Sequence, residues 1–336
     1  MIRSVVSTVA LLALATPAFA AGEVNIYSSR HYDTDDALYS NFEDATGITV
    51  NRIEDNADVL IERMRSEGEL GAADVFITVD ASRIGRADAA DLLQPIGSDK
   101  VDATVPANLH ADNDHWIGIS TRARLIFFDK NDVTEPPQTY EDLADPKYKG
   151  MICTRSGSNP YMLSLLGSII AHDGEEAARA WVAGVKDNFA REPQGGDTDQ
   201  LRGLISGECD IAVANHYYYA RGLQSEVSGL TDGIETIGVV FPNQETTGTH
   251  INISAAGLAK YSPNPDNARA FIEYLLTPEA QQMIANGNNE FPVVEGVEPS
   301  EVVIGLGDFR RDELPVDAFS TRTDLAQKIY NEVGYK

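Results

Sequence analysis

Asp210-Ile211-Ala212-Val213-Ala214-Asn215-His216-Tyr217-Tyr218-Tyr219-Ala220-Arg221 is the stretch on which the reading of this chain turns. Its apolar first half reads as a buried strand, and three consecutive tyrosines stand just past the end of that strand. In α/β proteins, ligands bind in the crevice outside the carboxyl ends of the strands. A phenol placed there serves as an anionic oxygen ligand once a metal displaces its proton. Continued strand geometry would send Tyr217 and Tyr218 to opposite faces. A turn into a helix instead sets neighbours about 100° apart, so both could face one crevice. Arg221, four residues after Tyr217 and three after Tyr218, then lies on their side. The competing reading is an aromatic patch that fills a core.

Outward from this stretch, the 336 residues exceed one ordinary core and point to two domains. An apolar share of 43% and a charged share of 23% are those of a globular protein. Residues 1–20 read differently: Arg3 supplies a positive charge, residues 5–15 form a short apolar core, and Ala18-Phe19-Ala20 matches the cleavage pattern of a secretory signal. That core is shorter than the ~20 residues of a spanning helix, and no cysteine near the cleavage point invites lipid attachment. The mature chain is therefore expected to be exported and not inserted in a membrane. A formal charge of −26 argues against nucleic acid or an anionic membrane as partner. The two cysteines, Cys153 and Cys209, each begin an expected strand in an oxidising setting. A bridge is possible if those strands are parallel neighbours, and Cα spacing decides it.

The rest of the chain alternates strand and helix. Strands are expected at residues 23–27, 48–53 and 73–79, with helices ending near Gly47 and Glu67, which makes parallel βαβ units. Residues 116–128 are too long for one short strand and read as a crossing between two lobes. A helix is expected at 140–144 and a strand at 151–154. Ser158 or Asn159 then caps a helix with Pro160 in its first turn and Tyr161 beside it. Such a helix start presents backbone N–H groups to the crevice. Helices at 175–186 and 199–206, a strand at 237–241, a second crossing at 249–254 and helices at 265–276 and 278–286 complete the pattern. His31-Tyr32 and Tyr217-Tyr218 each follow a strand, and Tyr161 follows a third. These donors converge only if the lobes face one another. None of their spacings matches a zinc or calcium site.

Several longer stretches carry a resemblance: Tyr27-Ser28-Ser29-Arg30-His31-Tyr32, Leu143-Ala144-Asp145-Pro146-Lys147-Tyr148-Lys149-Gly150, Asn188-Phe189-Ala190-Arg191-Glu192-Pro193-Gln194-Gly195, Ala214-Asn215-His216-Tyr217-Tyr218, Phe241-Pro242-Asn243-Gln244-Glu245 and Gly248-Thr249-His250-Ile251-Asn252. Across nearly the whole mature chain it resembles the extracytoplasmic iron-binding proteins of ABC importers, in the FutA-type branch of the transferrin-like ferric-binding proteins. The resemblance implies an α/β, type II periplasmic-binding-protein fold: two lobes joined by two crossing hinge strands, with the ligand between them. The lobes are expected at 21–121 plus 250–302 and at 122–249 plus 303–336, with hinges near residues 120–122 and 249–251. It also implies His31, Tyr32, Tyr161, Tyr217 and Tyr218 as ligands of iron, with Arg221 a cation just outside them. The expected partners are the permease and ATPase subunits of an importer, and the protein is expected as a periplasmic monomer.

The chemistry suits the cation, because ferric ion is hard and prefers anionic oxygen. Four phenolates overcompensate a +3 charge, so Arg221 or one retained proton rebalances it, and a ferrous ion would worsen the excess. The related anion-dependent branch places a glutamate ligand after the third strand. Here that place is Val79, with Asp80 next, which argues against an added carbonate or phosphate. His216 and Tyr219 read as structural. An organic cation such as a polyamine or thiamine in the same clamp is the alternative. A secreted enzyme finds no support in a G-x-S-x-G, H-E-x-x-H or phosphate-loop motif.

Overall fold

The computed structural model describes residues 22–30 and 32–336. The signal-peptide reading of residues 1–20 and the ligand reading of His31 lie outside the described residues. Strands β1 (Glu23–Ser28), β2 (Thr49–Glu54) and β3 (Val75–Val79) alternate with helices α1 (Asp36–Thr46), α2 (Ala57–Glu67) and α3 (Ala81–Ala89). Gly47 ends α1 in the left-handed conformation, at φ 72°, where a side chain would be strained. β1 pairs in parallel with both β2 and β3, as βαβ units require. The short β4 (Leu93–Gln94) and α4 (Asp99–Thr104) follow.

The expected crossing is a single strand, β5 (Trp116–Asp129). Its first half pairs with β9 (Ile251–Ala259), from Trp116 opposite Gly257 to Ala123 opposite Ile251. Its second half lies between β7 (Ile211–Asn215) and β8 (Ile237–Val240). β9 also pairs with β3, and β6 (Ile152–Cys153) lies parallel to β7, giving the order β2-β1-β3-β9-β5-β7-β6. β5 is thus shared by two half-sheets, and β9 belongs to the first.

Each half-sheet has its own core. Trp116, Ile117 and Ile119 of β5 join the first, with β1, β3 and β9. Beyond the crossing, Ile126 faces one apolar cluster while Leu125 and Phe127 face another, as the two-residue period of a strand dictates. The second half is covered by α5 (Pro160–Asp187), α6 (Asp197–Ser206) and α7 (His216–Gln224). α8 (Pro265–Leu275) and α9 (Pro278–Asn288) cover the first, and α10 (Glu301–Ile304), α11 (Val316–Ser320) and α12 (Thr323–Val333) end the chain.

One expectation changes. The segment 140–144 is a 3-10 turn over Glu141–Ala144 instead of a helix, because Pro146 follows within two residues. The two helices expected at 160 and 175 are both present and meet at Gly174, whose φ of 86° and ψ of 170° are not helical. Among the described residues no helix is long and apolar enough to cross a membrane.

Cys153 and Cys209 form a disulfide, with Cα atoms 5.8 Å apart across the ends of β6 and β7. The bridge closes a span of 56 residues, which by chain entropy stabilises the fold by up to about 4 kcal/mol. Replacing both cysteines by alanine is expected to lower unfolding free energy by about 2–4 kcal/mol in urea titration. In that variant a reducing agent is expected to change nothing further.

Candidate metal centre

Three segments deliver four tyrosines to one place. β1 ends at Ser28, and the chain is pinned by Ser29 N–H to the Ile77 carbonyl at 2.9 Å before it reaches Tyr32. Asn159 caps α5, accepting from Tyr161 N–H at 3.0 Å, so Tyr161 stands at the helix mouth with Pro160 beside it. β7 passes directly into α7, which puts Tyr217 and Tyr218 in a first helical turn. Their rings share one side, with centroids 4.4 Å apart at 31°. The Tyr161 and Tyr217 hydroxyls are 3.3 Å apart. Tyr32, Tyr161 and Tyr218 line a cleft of about 600 Å³, together with Ser29, Val79 and Arg83. Tyr217 lies beneath them, 1% exposed. The structure therefore brings together Tyr32, Tyr161, Tyr217 and Tyr218, which are up to 186 positions apart in the chain.

Guanidinium groups surround the phenols. Arg30 lies 4.8 Å from the Tyr32 ring, Arg122 5.8 Å from Tyr217, Arg221 5.7 Å from Tyr218, and Arg124 and Arg155 5.8 and 5.3 Å from Tyr161. Arg221 is where the sequence places it, tethered through Nη2 to Asn288 Oδ1 at 3.0 Å. Reading the sequence missed Arg122, which is fully buried in the crossing strand. Among the described residues its Nε and Nη1 find no hydrogen-bond partner. The signal was available: Arg122 and Arg124 are the only charged residues in the thirteen of 116–128, and a buried cation demands a partner.

That partner is Glu290, which has no exposed surface. Arg30 Nη1 lies 2.6 Å and Arg122 Nη2 3.0 Å from its carboxylate oxygens. Burial alone would raise the Glu290 carboxyl, but Arg30, Arg122 and the Ser120 hydroxyl pull it down to about 2. Arg30 also holds Asp35 at 2.8 Å. Burial raises the Tyr32 phenol, and the Glu290 charge adds to this against the opposing pull of Arg122 and Arg30. Burial likewise pushes Tyr217 and Tyr218 far above the ordinary phenol range, and the neighbouring phenol Tyr161 adds to both. In the absence of a cation these phenols keep their protons at neutral pH. A cation that displaces them creates phenolates, which the arginines then stabilise.

Two other features are less suited to a ligand. A groove of about 620 Å³ lies on the second half between Arg191, Arg202 and Gly229. Its charges are spent on one another, Arg191 on Glu208 and Arg202 on Asp199, each at 2.9 Å. Asp102, His110 and Asp114 cluster near the surface, but the imidazole sits between the two carboxylates and pairs with Asp114 at 3.0 Å.

Comparison with known proteins places this geometry. Residues 71–303 match the family described as bacterial extracellular solute-binding protein. This chain belongs to that family. It is 45% identical over 315 residues to iron uptake protein A1 of Synechocystis, covering 94% of this chain and 88% of that one. It is 28% identical over 295 residues to the major ferric iron-binding protein of Neisseria meningitidis, covering 84% of each. A Trichodesmium protein (IdiA, FutA) solved in complex with iron and citrate superimposes with a TM-score of 0.91 at 46% identity, over 94% of this chain and all of that one. Within the solute-binding family the chain is of the FutA type, and its fold is the two-lobed type II binding-protein fold.

Glu290→Gln tests the buried network. Removing the carboxylate strands the buried Arg122 guanidinium and leaves Arg30 to Asp35 alone, which costs about 3–5 kcal/mol at neutral pH. A carboxyl held near 2 against an ordinary 4.5 contributes stability that is complete above 4.5 and lost as pH falls towards 2. The gap between wild type and variant in urea titration is therefore expected to be widest at pH 7 and to narrow below pH ~4.5.

Proposed function

We propose that this protein captures ferric iron in the cleft between its lobes and delivers it to an ABC importer. One observation carries the reading: four phenols from three distant segments meet in one cleft ringed by arginines. Ferric ion prefers anionic oxygen, and phenolates beside fixed cations supply it without further acidic side chains. Tyr32, Tyr161, Tyr217 and Tyr218 are the proposed ligands, with His31 as a fifth donor, and Arg122 and Arg221 offset the excess negative charge. The organic-cation alternative fits less well, because the same arginines would repel an ammonium ion.

The lobes, 21–121 plus 250–302 and 122–249 plus 303–336, close about the crossing segments near 120–122 and 249–251. Ligands drawn from both lobes favour the closed form, and docking on the permease and its ATPase favours the open one. The family is extracellular, and the proposed location is the periplasm, reached by removal of residues 1–20. The protein acts as a monomer and a binder, as its relatives are binding proteins.

The ferric-loaded protein is expected to show a visible phenolate-to-iron band that dithionite bleaches; a colourless protein with stoichiometric ferric iron would contradict tyrosinate ligation. Tyr218→Phe is expected to weaken ferric binding by more than the ~10–100-fold typical of losing an outer-shell partner. In the organic-cation reading that variant binds almost as wild type. Because each bound phenol releases a proton, the logarithm of ferric affinity is expected to rise with pH with a slope above about two.

A further inference from the structure

After α9 the chain touches both cores, with Val293 in the first and Phe291 reaching into the second. The Phe291 backbone N–H and carbonyl both pair with Thr121 of β5 at 2.8 Å. The Phe291 ring stacks on the His216 imidazole at 4.4 Å and 26°. Tyr217 meets the same imidazole edge-on at 5.8 Å. His216 is fully buried, and both ring nitrogens are in use. The Ala123 N–H of the crossing strand lies 3.2 Å from Nδ1, and Nε2 lies 2.7 Å from the Asn289 carbonyl oxygen. An amide N–H only donates and a carbonyl only accepts, so the ring is the neutral tautomer with its proton on Nε2. Two further bonds run from α7 to the same segment: Arg221 to Asn288 at 3.0 Å, and Asn289 Nδ2 to Gln224 Oε1 at 2.9 Å. The helix that carries Tyr217 and Tyr218 is tied at its start, middle and end to residues 288–291.

We propose that His216 is a positioning residue for the tyrosine pair, its two hydrogen bonds registering the first turn of α7 against the crossing strand β5 and against segment 288–291. The next two residues, Tyr217 and Tyr218, take their places relative to Arg122 and Tyr32 from that register. This rests on the ferric reading of the site for its consequence in binding, but not for its geometry. A core-filling role alone would be met by a phenylalanine, which keeps the stacking yet leaves the Asn289 carbonyl and the Ala123 N–H without partners. Glutamine offers an acceptor and a donor at similar reach and satisfies both.

The test compares wild type, His216→Phe, His216→Gln and Phe291→Leu. In the ferric-loaded proteins, the visible band and the rate at which a chelator strips iron are measured. In the metal-free proteins, amide hydrogen exchange is followed over residues 215–224. With His216→Phe the band is expected to shift, iron loss to quicken about tenfold or more, and exchange over α7 to accelerate while α1 and α8 keep theirs. His216→Gln should stay close to wild type on every readout, and Phe291→Leu should fall between. Wild-type band, release and exchange in His216→Phe would overturn the proposal, as would His216→Gln behaving as badly as His216→Phe. Should His216→Phe fail to fold, His216→Asn, which reaches one partner only, replaces it, and wild-type behaviour there overturns the proposal equally. A wild type that takes up no ferric iron removes the iron reading alone, and exchange in the metal-free variants still decides whether His216 registers α7.

Discussion

Glu290 has no exposed surface, and a carboxylate taken out of water costs several kcal/mol unless cations and hydrogen-bond donors surround it. Those groups come from three places in the chain: Arg30 after β1, Ser120 and Arg122 on β5, and Asn288 at the end of α9. None of the pairings survives displacement of one segment without leaving a buried charge alone. Arg30 in turn requires Asp35, just ahead of α1, and donates to Ser254 on β9 at 2.9 Å. A single buried ion therefore ties Arg30, β5, β9 and the segment after α9 into one arrangement.

The phenols inherit their places from that lock. Tyr32 lies two residues beyond Arg30, and Tyr217 lies over Arg122. On the far side Asp197 does the equivalent work, accepting from Arg124 at 2.7 Å and from the Asn215 N–H at 2.8 Å, at the foot of α7. Arg124 then faces the ring of Tyr161. Each half-site is thus a phenol backed by a guanidinium that is itself neutralised deeper in the fold. The layers follow one another outward from the core as carboxylate, guanidinium and phenol.

How much of this was legible beforehand follows from the kind of signal each part leaves. The βαβ alternation, the long crossing at 116–129 and the tyrosine turn after β7 are local patterns, with period two for strands and a sharp change of composition at their ends. The convergence of Tyr32, Tyr161 and Tyr217 is not local, and it reached the sequence reading only through resemblance to a family. Arg122 was visible as one of two charges in the stretch 116–128, but its partner Glu290 lies 168 positions later, and no periodicity links the two. The helix expected at 140–144 fails for a local reason, the proline just after it. α11 and α12 went unmarked because α11 is only five residues long and α12 follows it with no clear break.

The end of β3 shows why this cleft draws its negative charge from phenols. Val79 presents a methyl-bearing wall to the cleft, and the carboxylate next to it, Asp80, is turned away at φ 87°. A non-glycine residue there is strained and persists only when its surroundings over-determine it. Here they do: Asp80 accepts from the Ser82 N–H at 2.8 Å, from Asn252 of β9 at 2.7 Å and from Ser164 of α5 at 3.1 Å. Its charge is consumed in joining α3, β9 and α5 and is not offered to a ligand. The other acidic residues of the cleft, Glu54 and Asp55, are exposed at its rim, where water screens them. With the carboxylates among the described residues of the cleft either committed or solvated, the proposed source of negative charge at its centre is the group of four phenols. Since burial holds Tyr32, Tyr217 and Tyr218 protonated until a cation displaces the proton, the cleft gains negative charge there only as a cation of high charge binds.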